Sequence, residues 1–244
     1  MTEAIGPFHV HWSEYYSSLL QGLGHTVEYT AAGFIGAAIL GLALALMRRS
    51  PTRLVRLPAT IYTELFKNIP LLAIIFITYF GLTSIGIRLD VFQAGALSLI
   101  VFYAAYLSEI FRSAIGGVHP GQSEAAQALG LGRLGIFAHV IFPQALRQAL
   151  PGTNTMLVDL LKSTSLLVTI SAAELMTQAQ LISSETFRAL EVYMVIAVIY
   201  FCLCYPLSQL LLWIERRVSA GAPMSYRRAV RLRSARALLE EAVQ

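Results

Sequence analysis

Four stretches of 18 to 23 residues carry no charged side chain, and they constrain the fold more than any other feature. A helix needs about 20 mostly apolar residues to cross a bilayer. The four stretches are 29–47, 68–87, 91–108 and 192–214. A fifth apolar stretch, 149–173, is interrupted by Asp159 and Lys162. The sequence therefore predicts an all-α membrane protein with five transmembrane helices.

The distribution of Lys and Arg predicts the orientation of these helices. Only 13% of the residues are charged, with 18 Lys and Arg against 14 Asp and Glu, whereas soluble domains have about 25%. With the N-terminus outside, the inner segments hold 14 of the 18 basic residues: 48–57, 112–147 and 215–244. The outer segments hold only two: 1–25, 81–90 and 174–191. Such an asymmetry predicts an outer N-terminus and a cytosolic C-terminus. Because membrane topology accounts for the surplus of basic residues, this surplus does not indicate nucleic-acid binding, and nucleic acid is not a predicted partner.

The two ends flank a transmembrane domain predicted over 26–215. In the outer segment 1–25, five apolar or aromatic residues share one helical face, which favours an interfacial helix: Phe8, Trp12, Tyr15, Tyr16 and Leu19. The tail 216–244 is basic and then acidic. It is either a cytosolic surface helix attracted to anionic membrane lipid or a solvated tail.

A short helix is predicted in the longest cytosolic segment, within "EAAQALGLG" at 124–132. Ser123 is a candidate N-cap, which would place Glu124 in the first turn, where the helix dipole favours an acid. Gly130 is well placed to end the helix. A helix of one or two turns is marginal alone. It is therefore either an ordinary surface helix or one that packs against a partner protein.

The spacing around this helix resembles a known family. EAA at 124–126 is followed by three residues, Gly130, nine residues, and Val-Ile-Phe-Pro at 140–143. This resembles the EAA loop of membrane permease subunits of ATP-binding-cassette (ABC) importers, EAA-x3-G-x9-I-x-L-P, with Val and Phe in place of Ile and Leu. Flanking blocks resemble the branch for polar amino acids of the histidine, glutamine and arginine type: "YTELFKNIPLL", "AYLSEIFRSAIGGVHPGQSEAAQALGL", "VIFPQALRQALP" and "LLKSTSLL". The resemblance covers roughly residues 15–215.

The resemblance implies a type I ABC importer permease fold in the bacterial inner membrane. The EAA helix would be a cytosolic coupling helix between spans 3 and 4 that docks into a cleft of a cytosolic ATPase subunit. The residues assigned to this contact are Gln122, Ser123, Glu124, Ala125, Ala126, Leu129, Gly130 and Pro143. The other implied partners are a second permease subunit, identical or related, an extracytoplasmic substrate-binding protein and a polar amino acid.

The chain carries no nucleotide-binding motif of its own. A P-loop requires G-x4-G-K-[ST], but the only lysines, Lys67 and Lys162, follow Phe66 and Leu161. ATP and Mg are therefore expected on the partner subunit, and no cofactor, metal or catalytic residue is assigned to this chain.

Ionisable groups within spans are costly and are therefore candidates for function. Thr155, Asp159 and Lys162 share one helical face, and Asp159 and Lys162 are spaced to form an ion pair. This stripe is either a substrate pathway or a structural polar contact. Glu64 and Lys67, one turn apart, are likewise either part of a gating network near the pathway or a pair that neutralises itself.

The resemblance extends through this fourth span. Similar permeases read P-x3-N-x3-D-x2-K-x-T-S-L, and the matching residues here are Pro151, Asp159, Lys162, Thr164, Ser165 and Leu166. Thr155 stands where Asn is common, and Asn154 lies one position earlier. The resemblance implies a pathway role for Asn154 or Thr155 with Asp159, and a structural or pathway role for Lys162, Thr164 and Ser165.

Two other functions fit the sequence less well than an importer subunit does. A self-sufficient secondary transporter or channel is disfavoured by the odd span count and the lack of visible repeats, and it would leave the EAA helix without a purpose. A membrane enzyme would need a nucleophile and base or a metal cluster, and the sequence shows no such arrangement.

Overall fold

The structure, a computed structural model, describes residues 10–219, and this part of the chain is helical without strands. Residues 1–9 and 220–244 lie outside the described part. Phe8 of the predicted interfacial face and most of the predicted basic tail are among them.

Ten α-helices form the described part. They are α1 (Trp12–Arg48), α2 (Arg53–Lys67), α3 (Leu71–Phe76), α4 (Leu82–Ser84), α5 (Val91–Gly117), α6 (Pro120–Ala128), α7 (Arg133–Ile136), α8 (Phe142–Ser163), α9 (Leu175–Thr186) and α10 (Ala189–Ser219). Wider π-helical turns join α3 to α4 (Ile77–Gly81) and α7 to α8 (Phe137–Ile141), and a 3₁₀ segment, Thr164–Ile170, continues α8.

Three of these helices are individually long and apolar enough to cross a membrane: α1, α5 and α10. Two bent helix pairs also qualify when each is taken as one span. One pair joins α2 to α3–α4 with a bend of 109°, and the other joins the continuous helix 133–170 to α9 with a bend of 50°. The described residues therefore provide three to five candidate spans.

The centre of the bundle is the contact between α1 and α5. Small residues on α1, including Gly33, Ala37 and Gly41, let the two helices approach closely. A Cβ atom built on Gly41 would lie 3.1 Å from the carbonyl oxygen of Ala104 and 3.2 Å from the amide nitrogen of Ser108. Because both are backbone atoms, a side chain at this position cannot be accommodated by a rotamer change.

The contacts also fix the relative directions of the helices. Gly33 lies against Leu99 and Gly41 against Leu107, so α1 and α5 run parallel. Helix α8 runs antiparallel to α5, since Gly117 lies against Gln148 and Gly152 against Ile110. One end of the bundle then carries Arg48, Arg49 and Arg112, and we call it the basic end.

At the basic end, two arginines share one carboxylate. The Arg48 guanidinium donates to a carboxylate oxygen of Glu109 at 2.6 Å, and Arg112 donates to the other oxygen. The Arg48 side chain is only 10% exposed. The network joins the end of α1 to α5.

At the opposite end, a buried carboxylate joins α1, α9 and α10. Glu174 is fully buried and accepts hydrogen bonds from the amides of Met176 and Thr177, both at 2.8 Å, which caps α9. The Tyr200 hydroxyl of α10 donates to it at 3.1 Å. The Thr26 hydroxyl of α1 accepts from the Leu175 amide at 3.2 Å. Sequence reasoning placed Glu174 in an outer connection and missed this network.

The predicted N-terminal interfacial helix is not a separate element. Trp12, Tyr15 and Leu19 lie in the first turns of the 37-residue α1 and pack against the apolar cluster formed by α9 and α10. Tyr16 is exposed. The cluster therefore covers part of the aromatic face for which a membrane-interface position is predicted.

The predicted second span, 68–87, is wrong in its boundaries. Its first residues form the break between α2 and α3, and the helix continues from Leu71 only to Ser84. The break follows from Pro70, which restrains the residue before it to extended conformations. The Asn68 side chain also ends α2 by donating to the Glu64 carbonyl at 2.6 Å.

The predicted fourth span begins earlier than residue 149. A continuous helix runs over 133–170, including the π-helical turn at 137–141. That turn lies directly before Pro143, whose ring would clash with the carbonyl of His139 in a regular α-helix. The predicted cytosolic connection 112–147 is therefore mostly helical.

The α1–α5 contact leads to a paired stability prediction. Gly41→Ala should lower the thermal unfolding midpoint of the purified protein in detergent, because the added methyl group meets backbone atoms and overpacking costs about 1–3 kcal/mol. Gly24→Ala is the matched control on the same helix, since a Cβ atom there meets nothing within 4 Å. It should leave the midpoint unchanged or raise it, because Ala favours a helix over Gly by about 1 kcal/mol. Equal effects of the two substitutions would contradict the proposed close packing.

Candidate functional site

The connection between α5 and α8 holds the predicted short helix, but α6 begins earlier than predicted. It starts at Pro120, and its N-cap is His119, whose Nδ1 accepts a hydrogen bond from the Gly121 amide at 3.1 Å. The predicted N-cap Ser123 is therefore wrong. Proline suits the first helical position because its fixed φ is helical and it lacks an amide hydrogen that would otherwise be unsatisfied. Glu124 consequently lies in the second turn, where the helix dipole has less effect.

The predicted helix end at Gly130 is confirmed. Gly130 has φ +82°, the left-handed conformation that glycine adopts readily. Its amide donates to the Gln127 carbonyl at 2.9 Å, and the Leu131 amide donates to the Ala126 carbonyl at 3.1 Å. These two bonds form a Schellman motif, which satisfies the last carbonyls of the helix.

The exposed side of α6 carries most of the predicted contact residues. Glu124 and Ala125 are exposed, and Leu129 is 81% exposed. Ala126 is only 5% exposed and packs within the protein, unlike the other two residues of the EAA motif.

Two contacts hold α6 against the beginning of the long helix 133–170. Gln122 is exposed but accepts a hydrogen bond from the Gln144 side chain at 3.4 Å. Buried Ala126 lets α6 approach the π-helical turn closely. Pro143, the second residue of α8, is exposed beside Gln144.

A second large apolar side chain on this connection was missed by sequence reasoning. Leu134, in α7, is 86% exposed. Leu129 and Leu134 are thus two highly exposed leucines, five positions apart, in the connection between α5 and α8. Contiguous exposed apolar patches mark interaction surfaces, and these two leucines are candidates for such a patch. The available sequence signal was a leucine two positions after the glycine-rich turn 130–132.

The polar stripe of the fourth span is only partly as predicted. Thr155 is exposed, and its hydroxyl donates to the Pro151 carbonyl at 3.1 Å. Asp159 is half-buried and Lys162 is exposed. Within residues 10–219, neither forms an ion pair within 4.0 Å, so the Asp159–Lys162 pair that their spacing allows does not form.

The two charged side chains of this stripe lie near different helices. Asp159 acts electrostatically on Tyr103 of α5, and Lys162 acts on Cys204 of α10. The i, i+3 spacing permits an ion pair, but packing on α8 determines where each side chain points.

Asn154 faces away from the exposed Thr155. Its side-chain amide donates to the Leu211 carbonyl and to a Glu215 carboxylate oxygen, both at 3.4 Å. The structure thus places Asn154 in the contact between α8 and α10.

Thr164 and Ser165 lie at the start of the 3₁₀ segment. The Thr164 hydroxyl is fully buried and donates to the Leu161 carbonyl at 2.8 Å, and the Ser165 hydroxyl donates to the Lys162 carbonyl at 2.7 Å. Such local bonds satisfy carbonyls where the α-helix tightens.

The Glu64–Lys67 ion pair is confirmed, with 3.3 Å between Lys67 Nζ and Glu64 Oε1. The Tyr106 hydroxyl of α5 also donates to the Lys67 carbonyl at 3.2 Å. Both contacts lie at the 109° break between α2 and α3. Elsewhere in the described ranges, no three His, Cys, Asp or Glu side chains come close enough to hold a metal ion.

Comparison with known proteins decides the family. A family model described as the binding-protein-dependent transport system inner membrane component matches residues 37–220. The chain belongs to this family. The probable glutamine ABC transporter permease protein GlnM of Bacillus subtilis is 36% identical over 203 residues, covering 83% of this chain and 94% of that protein. The probable amino-acid ABC transporter permease protein PatM of Vibrio harveyi is 34% identical, covering 82% of this chain and 92% of that protein.

Solved structures of this kind share the fold. The crystal structure of an amino acid ABC transporter with histidines matches with a TM-score of 0.80 and 34% identity, covering 89% of this chain and all of that chain. The MetNI methionine ABC transporter, in inward-facing conformations, matches with a TM-score of 0.72, covering 84% and 98% of the two chains. At 18% identity this second match concerns the fold alone. The chain thus resembles type I ABC importer permeases.

The geometry of the α6 terminus leads to a local prediction. Gly130→Ala should loosen the end of α6, because a left-handed conformation costs a non-glycine residue about 1–2 kcal/mol. Gly132→Ala is the control, since Gly132 has φ −72° and equally open surroundings. Gly130→Asn should retain most of the wild-type amide protection, because Asn tolerates the left-handed conformation. Hydrogen exchange of the amides of 126–131 measures the effect, and equal protection in all three variants would exclude it.

Proposed function

We propose that this chain is the transmembrane translocation subunit of an ATP-driven importer for polar amino acids, coupled through α6 to a separate ATPase subunit. The main observation is that this chain, which is 36% identical to a probable glutamine permease, has a short helix with the EAA motif and a defined end between α5 and α8. Two such subunits, identical or related, would form the pathway. An extracytoplasmic binding protein would deliver the amino acid.

The proposed contact with the ATPase uses the exposed side of α6 and the turn after it. Glu124 supplies a charge, Ala125 keeps the helix slim, and Leu129 and Leu134 supply apolar area. Apolar side chains of this size contribute about 1.5–3 kcal/mol each when they become fully buried. The ATP and Mg of the cycle would be held by the partner, and this chain would transmit its movement.

The proposed orientation has an outer N-terminus and a cytosolic C-terminus in a bacterial inner membrane. It is supported by the surplus of basic residues in the segments assigned to the inside. The parallel course of α1 and α5, with α8 antiparallel, agrees with spans of alternating direction. The connection that holds α6 then lies at the basic end, on the cytosolic side.

The proposed pathway runs along the exposed side of α8. Thr155 offers a hydroxyl and Asp159 a carboxylate without an ionic partner among the described residues. An unpaired carboxylate in a low-dielectric environment favours a cationic group, such as the ammonium of an amino acid. Glu64 and Lys67, at the break before α3, would border the pathway as a neutralised pair.

Co-purification tests the proposed ATPase contact. The C-terminally tagged chain, extracted from its host in mild detergent, should retain a P-loop ATPase. Glu124→Lys should reduce this retention, because it reverses the charge at the centre of the proposed surface. Glu14→Lys, on an exposed residue in the first turn of α1, should retain the ATPase as the wild type does. Recovery of the chain alone, moving amino acids into liposomes without ATP, would establish a secondary transporter instead.

The role of Asp159 is tested by transport of the reconstituted complex. Asp159→Asn should reduce ATP-dependent uptake about tenfold or more, as expected for the loss of one charged hydrogen-bond partner, while the ATPase remains bound. Asp90→Asn is the control, because Asp90 caps α5 through the Gln93 amide and Asn is an equally good N-cap. Unchanged uptake in Asp159→Asn would remove Asp159 from the pathway.

A further inference from the structure

An apolar groove of about 220 Å³ lies between α1, α5 and α8 towards the basic end. Ten side chains line it, and all are apolar. Those that form its walls include Ala38 and Leu42 of α1, Ala114 and Ile115 of α5, and Ala145 and Ala149 of α8. We call it the α1/α5/α8 groove. No part of the translocation mechanism proposed above uses it.

The groove opens to the surroundings of the bundle. Ile39 and Leu146 line it on opposite sides and are 68% and 47% exposed. Ile39 continues a row of exposed apolar residues on α1 that includes Ile35 and Leu46. In a membrane this face meets lipid, and an empty slot would forfeit the dispersion contacts of its walls.

The volume of the groove is sufficient for a hydrocarbon chain. Apolar cavities of about 150 Å³ already admit a benzene-sized molecule, and this groove has about 220 Å³. The alanines on all three walls leave a narrow slot, and a flexible acyl chain can adapt to such a shape.

A cation lies beside one end of the groove. A Cβ atom built on Gly116 would lie 3.2 Å from a guanidinium nitrogen of Arg49. Gly116 directly follows Ile115 of the groove wall. Arg49 is exposed, and no acidic group within the described residues lies within ion-pair distance of it.

The surroundings of Arg49 are positive as well. Arg48 and Arg112 share the single carboxylate of Glu109. With Arg49, this end of the bundle carries three guanidinium groups and one carboxylate, which gives a formal charge of +2 for these four residues. Basic pockets between membrane helices bind the headgroups of anionic lipids.

We propose that the α1/α5/α8 groove binds one acyl chain of an anionic phospholipid and that Arg49 binds its phosphate. The acyl chain completes the packing of three helices next to the start of α8. The assignment rests on the proposed function only for the orientation, which places the lipid in the cytosolic leaflet.

Lipid binding to the purified full-length chain tests this inference without ATP or transported substrate, so its outcome is independent of the proposed function. The thermal midpoint in detergent is measured against increasing phosphatidylglycerol or phosphatidylcholine, and native mass spectrometry counts the retained lipids. Phosphatidylglycerol should stabilise the wild type more strongly. Arg49→Gln should weaken its apparent affinity roughly fivefold, as expected for one arginine near a lipid phosphate, and should leave the response to phosphatidylcholine unchanged.

Matched variants separate the two parts of the site. Ala38→Leu fills the groove and should abolish the retained lipid, whereas Ala31→Leu, on an exposed position of α1, should not. Arg56→Gln removes an exposed cation of α2 and should bind both lipids as the wild type does. Arg49→Lys keeps the positive charge and should therefore keep most of the preference for phosphatidylglycerol over phosphatidylcholine.

Three results would overturn the inference. The first is equal stabilisation by the two lipids. The second is an Arg49→Gln variant that binds phosphatidylglycerol as the wild type does. The third is a reduced oligomer mass in Ala38→Leu with an unchanged lipid response, which would make the groove a contact between copies of the chain.

Discussion

The close approach of α1 and α5 is the constraint on which the rest of the bundle depends. In lipid, two apolar helices gain little from burying apolar surface, so their association relies on packing and on polar contacts. Gly33, Ala37 and Gly41 provide that packing, because they bring the backbone of α1 against that of α5. Helix α8 then packs antiparallel against α5, where Gly117 and Gly152 again allow close contact. The small residues thus determine which helices touch, and the large apolar residues fill the space that remains.

Polar contacts fix both ends of α1. The Arg48–Glu109–Arg112 network joins the basic end of α1 to α5. At the other end, Thr26 of α1 accepts from the Leu175 amide, next to Glu174, which accepts from Tyr200 of α10. A carboxylate is costly to bury unless its oxygens are satisfied. Glu174 meets this condition with two backbone amides and a hydroxyl, and it thereby caps α9. The Arg48–Glu109–Arg112 network resists sliding of α1 along α5, which packing of small residues alone would permit.

The sequence predicted the parts of the fold that depend on local composition. The long uncharged stretches predicted α5 and α10, and the preference of glycine for helix C-termini predicted the end of α6 at Gly130. Prediction failed where proline or tertiary contacts decide the outcome. The break before α3 depends on Pro70, and the early start of the fourth span includes a π-helical turn before Pro143. In the candidate site, spacing could not show that Asp159 and Lys162 lie near different helices, because that depends on how α8 is packed.

The placement of α6 has a consequence for the proposed coupling. Helix α6 is not attached to the bundle by flexible loops alone, because buried Ala126 and the Gln122–Gln144 hydrogen bond hold it against the start of the helix 133–170. That helix is continuous up to the region of Asp159. A displacement of α6 by an ATPase would therefore be carried along one helix to the proposed pathway. The π-helical turn at 137–141 lies on this route, directly against α6, and such turns often lie at functional sites.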